Sequence, residues 1–162
     1  MRGLPADTRI PARQEQTVVT MTSLTALFLL AFSAATLLPG GSEAALVAMV
    51  SLSGHSTLTL LLVASAGNIL GSVLNYGLGR LALHYQDRRW FPATPAALTK
   101  ARGWFTHWGQ WAVLLAWVPI IGDPVTVAAG VMRMNFALFL LLVTISKTLR
   151  YMVVLGVVGA VF

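Results

Sequence analysis

Four ionisable residues interrupt long apolar stretches of this sequence: Glu43, Asp123, Lys147 and Arg150. Each acid follows a break containing proline and glycine and stands at the start of a further apolar stretch. A helix that begins there presents free backbone N–H groups and the positive end of its dipole, which can hold an anionic group. Lys147 and Arg150 are about one helical turn apart and can add two cations. These residues predict a site for a phosphate group, with the acids as counter-charges or proton carriers.

Two plainer interpretations of the same residues stay open. Asp123 precedes a proline and is a good N-cap, and Ser42 with Glu43 makes a similar helix start, so both acids could simply satisfy helix ends. Lys147 and Arg150 could form ion pairs that hold helices together without contacting any ligand.

The two breaks share one internal spacing. The interval from Pro39 to Glu43 equals that from Pro119 to Asp123, and the second pair is displaced from the first by 80 positions. In each half a short apolar arm and then a long helix with polar residues follow the break. We interpret this order as an internal duplication, with chance repetition as the alternative. The predicted structural breaks are Pro39, Gly40, Gly41, Pro119, Gly122 and Pro124.

The composition is that of a membrane protein, with 57% hydrophobic and 10% charged residues. Residues 18–38, 57–81 and 136–162 reach the roughly 20 apolar residues that a helical crossing needs. The arms beside the second break are too short to span, which favours a re-entrant hairpin or a broken helix. The predicted fold class is an all-α polytopic membrane protein with two inverted repeats. Each repeat is a re-entrant or broken helical hairpin followed by a long transmembrane helix.

The chain is predicted to contain a polar tail over residues 1–16 and a single membrane domain over residues 17–162. Repeat 1 covers about 18–83, and repeat 2 covers about 109–162. Between them, residues 84–108 combine basic residues with tryptophan and phenylalanine. This combination is typical of an amphipathic segment at the membrane surface.

The long helix of the first half carries amides and glycines at steps of three and four residues. Asn68, Gly71, Asn75 and Gly79 fall on roughly one stripe, which would let another helix approach closely and hydrogen-bond to it. The asparagines could equally line a polar pathway. A partner protein could also bind through Gly67 and Gly71, and the chain would then be a scaffold that transports nothing.

Several function classes are disfavoured. The net charge of +6 comes mostly from the tail and the central segment, which favours anionic lipid head groups over nucleic acid. The chain has no cysteine and three scattered histidines, so we expect no metal and no cofactor. Residues 40–44 lack the closing glycine of a nucleophile elbow, and no phosphate-binding glycine loop is present. We therefore expect a protein that is not an enzyme and whose partners are membrane lipids with anionic or phosphate head groups. A homo-oligomer stays open.

Four stretches carry a family resemblance: LLPGGSEAAL, GNILGSVLNYGLGR, WGQWAVLLAWVPIIGDPVTVAAGVMRMNF and SKTLRY. They resemble the YqaA-type branch of the DedA family, which comprises small proteins of the bacterial inner membrane related to the VTT-domain lipid scramblases. The resemblance runs from about Ser23 to Tyr151. It implies two inverted re-entrant hairpins with flanking transmembrane helices, and movement of lipids, particularly lipid phosphates such as undecaprenyl phosphate, across the bilayer.

The resemblance also implies functional residues. Larger members have membrane-embedded acids, and by position Glu43 resembles one of them. They also have two arginines that flank a proline. In this chain, Ala116 and Gly122 stand at the positions of those arginines. Without them, the candidates for phosphate contact are Arg133, Lys147 and Arg150. The leading hypothesis is translocation of an anionic lipid, and the alternatives are a non-transporting membrane scaffold and a small-ion transporter.

Overall fold

The computed structural model describes residues 12–36, 41–52, 54–81 and 95–161, and this part of the chain is helical, without β-strands. The α-helices are α1 (Ala12–Ala34), α2 (Gly41–Leu52), α3 (Thr57–Leu81), α4 (Pro95–Trp108), α5 (Gly122–Val131) and α6 (Phe136–Val161). A 3-10 helix over Gly109–Trp117, here called the 3-10 arm, lies between α4 and α5. The predicted all-α class is confirmed for the described residues.

Two helices are long and apolar enough to cross a membrane, α3 and the part of α6 over Phe136–Val157. With 25 and 26 residues, α3 and α6 are about 37 and 39 Å long. Both correspond to predicted crossings. The third predicted crossing, residues 18–38, differs: α1 begins at Ala12, inside the predicted tail, and ends at Ala34. Its apolar part is the shorter stretch Val19–Ala34.

Side chains cap the starts of both long helices. The hydroxyl of Ser56 accepts a hydrogen bond from the N–H of Thr59 at 3.1 Å, so Ser56 is the N-cap of α3. Asn135 Oδ1 accepts from the N–H of Leu138 at 3.2 Å and caps α6 in the same way. The short stretch Gly54-His55-Ser56 therefore leads directly into α3.

Hydrogen bonds fix the direction of α3 relative to α6. The Tyr76 hydroxyl donates to the carbonyl of Met134, just before α6, at 2.6 Å. Asn68 Nδ2 donates to the hydroxyl of Tyr151, far along α6, at 3.0 Å. Because contacts nearer the start of α3 lie nearer the end of α6, the two helices are antiparallel.

By the same reasoning α1 is parallel to α3. Ser23 Oγ lies 2.9 Å from Nε2 of His55, just before α3, and Asn75 Nδ2 donates to the carbonyl of Ala35 at 2.6 Å. The short helix α2 must therefore return toward the start of α3, which it reaches through residues 53–56.

Glycines bring α3 into backbone contact with α1 and α5. A Cβ at Gly71 would lie 2.6 Å from the carbonyl oxygen of Phe32, and one at Gly67 would collide with another carbonyl of α1. Gly79 and Gly130 form the crossing of α3 and α5 in the same manner. Because α1 of the same chain covers Gly67 and Gly71, the interpretation of these glycines as a docking stripe for a partner protein is wrong.

Candidate functional site

A polar face lies in the middle of α6. Lys147, Arg150 and Tyr151 follow one another at the i, i+3 and i+4 spacing that places side chains on one side of a helix. Lys147 comes eleven residues after Phe136, about 17 Å along a helix of about 39 Å. Its side chain is only 2% exposed. The face therefore lies near half the depth of the candidate membrane span.

The first turn of α2 contacts this face. Glu43 forms an ion pair with Arg150, and both side chains are largely buried. The hydroxyl of Tyr151 donates a hydrogen bond to Ser42 Oγ at 3.0 Å. The acid of the first predicted break thus meets one of the predicted cations, 107 residues away in the sequence.

The first turn of α5 contacts the same face from a second direction. Asp123 Oδ1 lies 3.7 Å from Nζ of Lys147. The N-cap of α5 is Ile121, without a capping side chain, and Asp123 stands inside the first turn. The capping interpretation of Asp123 is therefore wrong, because its carboxylate is turned toward Lys147. We name Glu43, Asp123, Lys147 and Arg150 the charged cluster.

The two asparagines have different neighbours. Asn68 donates to the Tyr151 hydroxyl and thereby joins the polar face of α6, whereas Asn75 holds the end of α1 through the carbonyl of Ala35. Both are buried, and the amide oxygen of each has no hydrogen-bond partner within the described residues. Asn68 thus belongs with the charged cluster, and Asn75 has a packing contact.

Arg133 lies away from the charged cluster. It follows the end of α5, whereas Asp123 stands at the start, and the ten residues between these ends extend over about 15 Å. Arg133 also precedes the first turn of α6, whereas Lys147 lies halfway along that helix. The structure therefore does not bring Arg133 together with Lys147 and Arg150.

The breaks surround the two helix starts. Gly41 is the first residue of α2 and Gly122 the first of α5, whereas residues 39 and 40 (Pro39 and Gly40) lie outside the described part. A Cβ at Gly122 would collide with the carbonyl of Ala116. No side chain therefore fits at this position, where larger members of the family have one of the two arginines.

Between the 3-10 arm and α5, the chain turns through residues 118–121. Ile120, which follows Pro119, has a left-handed φ of 69°, an unfavourable conformation for a β-branched residue. Pro124 lies in the first turn of α5, where its missing N–H would be unpaired in any case.

A groove of about 380 Å³ opens beside the charged cluster, and we name it the central groove. Arg150 and Glu43 form its polar end, and the other lining side chains are apolar. The lining residues are Glu43, Trp117, Pro119, Ile120, Arg150, Val153 and Val154. The arrangement can accommodate an anionic group against a cation while an apolar chain lies along the groove.

Some of these residues were not identified from sequence. Tyr151 was missed, although its i+4 spacing from Lys147 was visible, and Ser42 was considered only as a cap. The groove residues Trp117 and Val153 carry no local signal, because they meet only through the packing of the 3-10 arm on α6.

Comparisons with known proteins agree with the residue-based resemblance. Residues 38–160 match the family described as VTT domain. The inner membrane protein YqaA of Escherichia coli is 41% identical over 133 residues, covering 82% of this chain and 88% of that protein. A Haemophilus influenzae protein is 36% identical over 140 residues, covering 82% and 85%. Undecaprenyl phosphate transporter A of Staphylococcus aureus is 30% identical over 110 residues, covering 62% and 54%.

No solved structure matches the chain. The family match covers most of the sequence, and the relatives named as membrane proteins agree with the two candidate spans. The expected location, as a multi-pass protein of the bacterial inner membrane, is confirmed. The chain belongs to the VTT-domain proteins of the DedA family.

Proposed function

We propose that this protein translocates an anionic lipid of the lipid-phosphate class across the bilayer. The observation that carries the proposal is the meeting of two helix starts, α2 and α5, on one turn of α6 at half its length. Each start contributes an acid and α6 contributes the two cations, in the pairs Glu43 with Arg150 and Asp123 with Lys147. Charges at such depth are costly and are typical of substrate pathways.

The chemistry of the charged cluster suits a phosphate. A phosphate oxygen can replace a carboxylate as the acceptor of an arginine or lysine hydrogen bond. Helix starts add free N–H groups and a positive dipole. A Staphylococcus aureus relative is named as a transporter of undecaprenyl phosphate, which supports the same substrate class here.

The central groove favours a lipid over a small soluble ion. Apart from Glu43 and Arg150 its walls are apolar, and a pathway for ions needs polar walls along its length. Trp117 and Ile120 are 46% and 73% exposed beside it. An acyl or isoprenoid chain can therefore stay in contact with apolar surface while the head group reaches Arg150. We propose a transporter of lipids and not an enzyme or a small-ion transporter.

We also propose that α2 and α5 belong to two hairpins that enter the membrane from opposite faces, as an inverted repeat. Three observations support this arrangement. Both helices begin at the middle of α6. α2 leads into the start of α3, and α5 leads into the start of α6. Because α3 and α6 are antiparallel, those two starts belong to opposite faces.

Single cysteines test this topology, since the chain contains none. Ser51, at the end of α2, and Gln110, at the start of the 3-10 arm, are both exposed. We expect a membrane-impermeant maleimide to label Ser51→Cys and Gln110→Cys from opposite sides of the membrane in oriented vesicles, with the cysteine-free protein as the blank. Labelling of both positions from one side would refute the inverted hairpins.

Transport is tested in liposomes containing the purified protein and a fluorescent lipid phosphate whose outer-leaflet copies are bleached by an impermeant reductant. Removing one partner of a buried ion pair leaves the other unpaired, at a cost of about 3–5 kcal/mol, so single variants risk unfolding. We therefore use the paired variants Glu43→Gln with Arg150→Gln, and Asp123→Asn with Lys147→Gln.

Each paired variant is expected to slow transfer by about tenfold or more, since a hydrogen bond to a charged group is worth about 1.5–3 kcal/mol. Arg102→Gln, an exposed change on α4, is the matched control and is expected to retain the wild-type rate. Wild-type transfer no faster than in empty vesicles would refute the proposed function. Active paired variants would leave the charged cluster with a structural role only.

A further inference from the structure

A second pocket, here called the surface pocket, lies at the other end of α5 from the charged cluster. It has a volume of about 250 Å³. Its polar lining consists of Gln110, Arg133 and Asn135. Because α6 begins at Phe136 and α5 ends at Val131, the surface pocket lies at an end of the candidate membrane span. Neither the charged cluster nor the central groove shares a residue with it.

The polar groups of the surface pocket are hydrogen-bond donors suited to an anion. No Asp or Glu is among its described lining residues. In the described part of the chain, the guanidinium of Arg133 has no ion pair or hydrogen-bond acceptor. Asn135 uses its Oδ1 to cap α6, which leaves its NH₂ group available. The pocket therefore offers unneutralised positive charge together with amide donors.

The backbone position of Arg133 is unusual for this residue type. The N–H of Met134 bonds to the carbonyl of Ala129 and that of Arg133 to Gly130, which is the Schellman pattern at the end of α5. Arg133 occupies the left-handed position of this motif, with φ 52°, where glycine is favoured. Glycine would suit this turn better, whereas the arginine adds a guanidinium to the lining of the surface pocket.

The surroundings place this arginine where lipid head groups lie. Phe105, Met132 and Met134 form the apolar part of the surface pocket. Trp108 and Trp111 flank the pocket residues Gly109 and Gln110 in the chain, and they are 62% and 64% exposed. Exposed tryptophans and arginines at the end of a span are typical of the boundary between head groups and acyl chains.

We propose that the surface pocket binds the phosphate head group of a membrane lipid through Arg133, Gln110 and Asn135, as a docking site separate from the charged cluster. The route that the lipid takes after docking rests on the proposed function. The lipid would leave the pocket along the hairpin of the 3-10 arm and α5 toward the central groove. Binding at the pocket itself does not require transport.

The test uses the full-length protein in phosphatidylcholine vesicles containing increasing amounts of phosphatidic acid with brominated acyl chains, which quench nearby tryptophans. We expect stronger quenching than by brominated phosphatidylcholine. Arg133→Gln is expected to raise the phosphatidic acid content at half-maximal quenching by roughly three- to tenfold, as for one partly exposed charged contact. Arg102→Gln, which removes an exposed charge from α4 outside the surface pocket, is the matched control and is expected to raise this content less than Arg133→Gln does.

A second variant separates binding from folding. Arg133→Gly suits the left-handed turn better than arginine, so it should fold at least as well and still lose the preference for phosphatidic acid. An unchanged preference in both Arg133 variants would overturn the proposal. If the protein binds inorganic phosphate but shows no preference for phosphatidic acid, the lipid assignment is overturned in favour of a soluble phosphate.

The transfer assay keeps this proposal distinct from the proposed function. If the wild type moves lipid, Arg133→Gln is expected to raise the lipid content at half-maximal rate while the maximal rate stays close to wild type. If the wild type moves none, the proposed function fails, and the quenching measurement still decides whether the surface pocket binds phosphate.

Discussion

Replacing Gly79 by alanine tests whether α3 and α5 are in backbone contact. In most helix interiors a Gly→Ala change stabilises, by about 0.5–1 kcal/mol, because alanine loses less conformational freedom on folding. A Cβ at Gly79 would instead collide with the carbonyl of Val127. A carbonyl in a helix cannot rotate away as a side chain can. The helices must move apart, at a cost of about 1–3 kcal/mol for overpacking.

Gly77 supplies the matched control on the same helix. A Cβ there would meet nothing within 4 Å, so Gly77→Ala is expected to show only the favourable propensity effect. Because both variants gain the propensity effect, they should differ in unfolding free energy by the overpacking cost of about 1–3 kcal/mol, with Gly79→Ala the less stable. Equilibrium unfolding in mixed micelles, followed by fluorescence of the five tryptophans, measures this difference.

Gly130 extends the test across the same crossing. A Cβ at Gly130 would collide with the carbonyl of Tyr76, so Gly130→Ala should destabilise about as much as Gly79→Ala. One separation of α3 from α5 relieves both collisions, and the double variant should cost less than the sum of the single variants. Equal stabilities of the Gly77 and Gly79 variants, or full additivity of the pair, would refute the close crossing.

Two further substitutions test contacts near the charged cluster. Tyr151→Phe removes the hydroxyl that accepts from Asn68 and donates to Ser42, so we expect a loss of about 1–3 kcal/mol in the same unfolding assay. Wild-type stability would show that these bonds contribute nothing. Ile120→Gly relieves a left-handed φ at an exposed position and should stabilise by about 1 kcal/mol. Val118→Gly, at an extended position, should not, and equal effects would contradict the strain at Ile120.

Local signals in the sequence were sufficient for the long helices. The turn before Thr57 contains the hydroxyl that caps α3, and the apolar stretch after Asn135 has the length of a crossing. The start of α4 at Pro95 follows from the preference for proline in a first turn. The end of α1 at Ala34 was not visible, because the apolar stretch continues beyond it.

Pairings between distant residues could not be predicted. Nothing in the spacing decides whether Arg150 or Lys147 receives the carboxylate of Glu43, since that depends on how α2 and α5 pack on α6. The close approach of a helix to the glycines of α3 was predicted correctly, but the sequence could not say which helix would fill which glycine position. The surface around Gly67 is free in the isolated helix and is covered only once α1 folds against it.

The geometry of the two ion pairs bears on how a phosphate could enter the charged cluster. Replacing a buried ion pair by apolar residues is often nearly neutral, because desolvation offsets most of the attraction, whereas an unpaired charge is costly. A cation here should therefore exchange one anionic partner for another rather than remain free. Lys147 and Asp123 are 3.7 Å apart, longer than the roughly 2.7–2.9 Å of a direct charge-assisted hydrogen bond. Under the proposed function, a phosphate that arrives through the central groove would therefore replace Glu43 at Arg150, which lines the groove, before it reaches the buried Lys147.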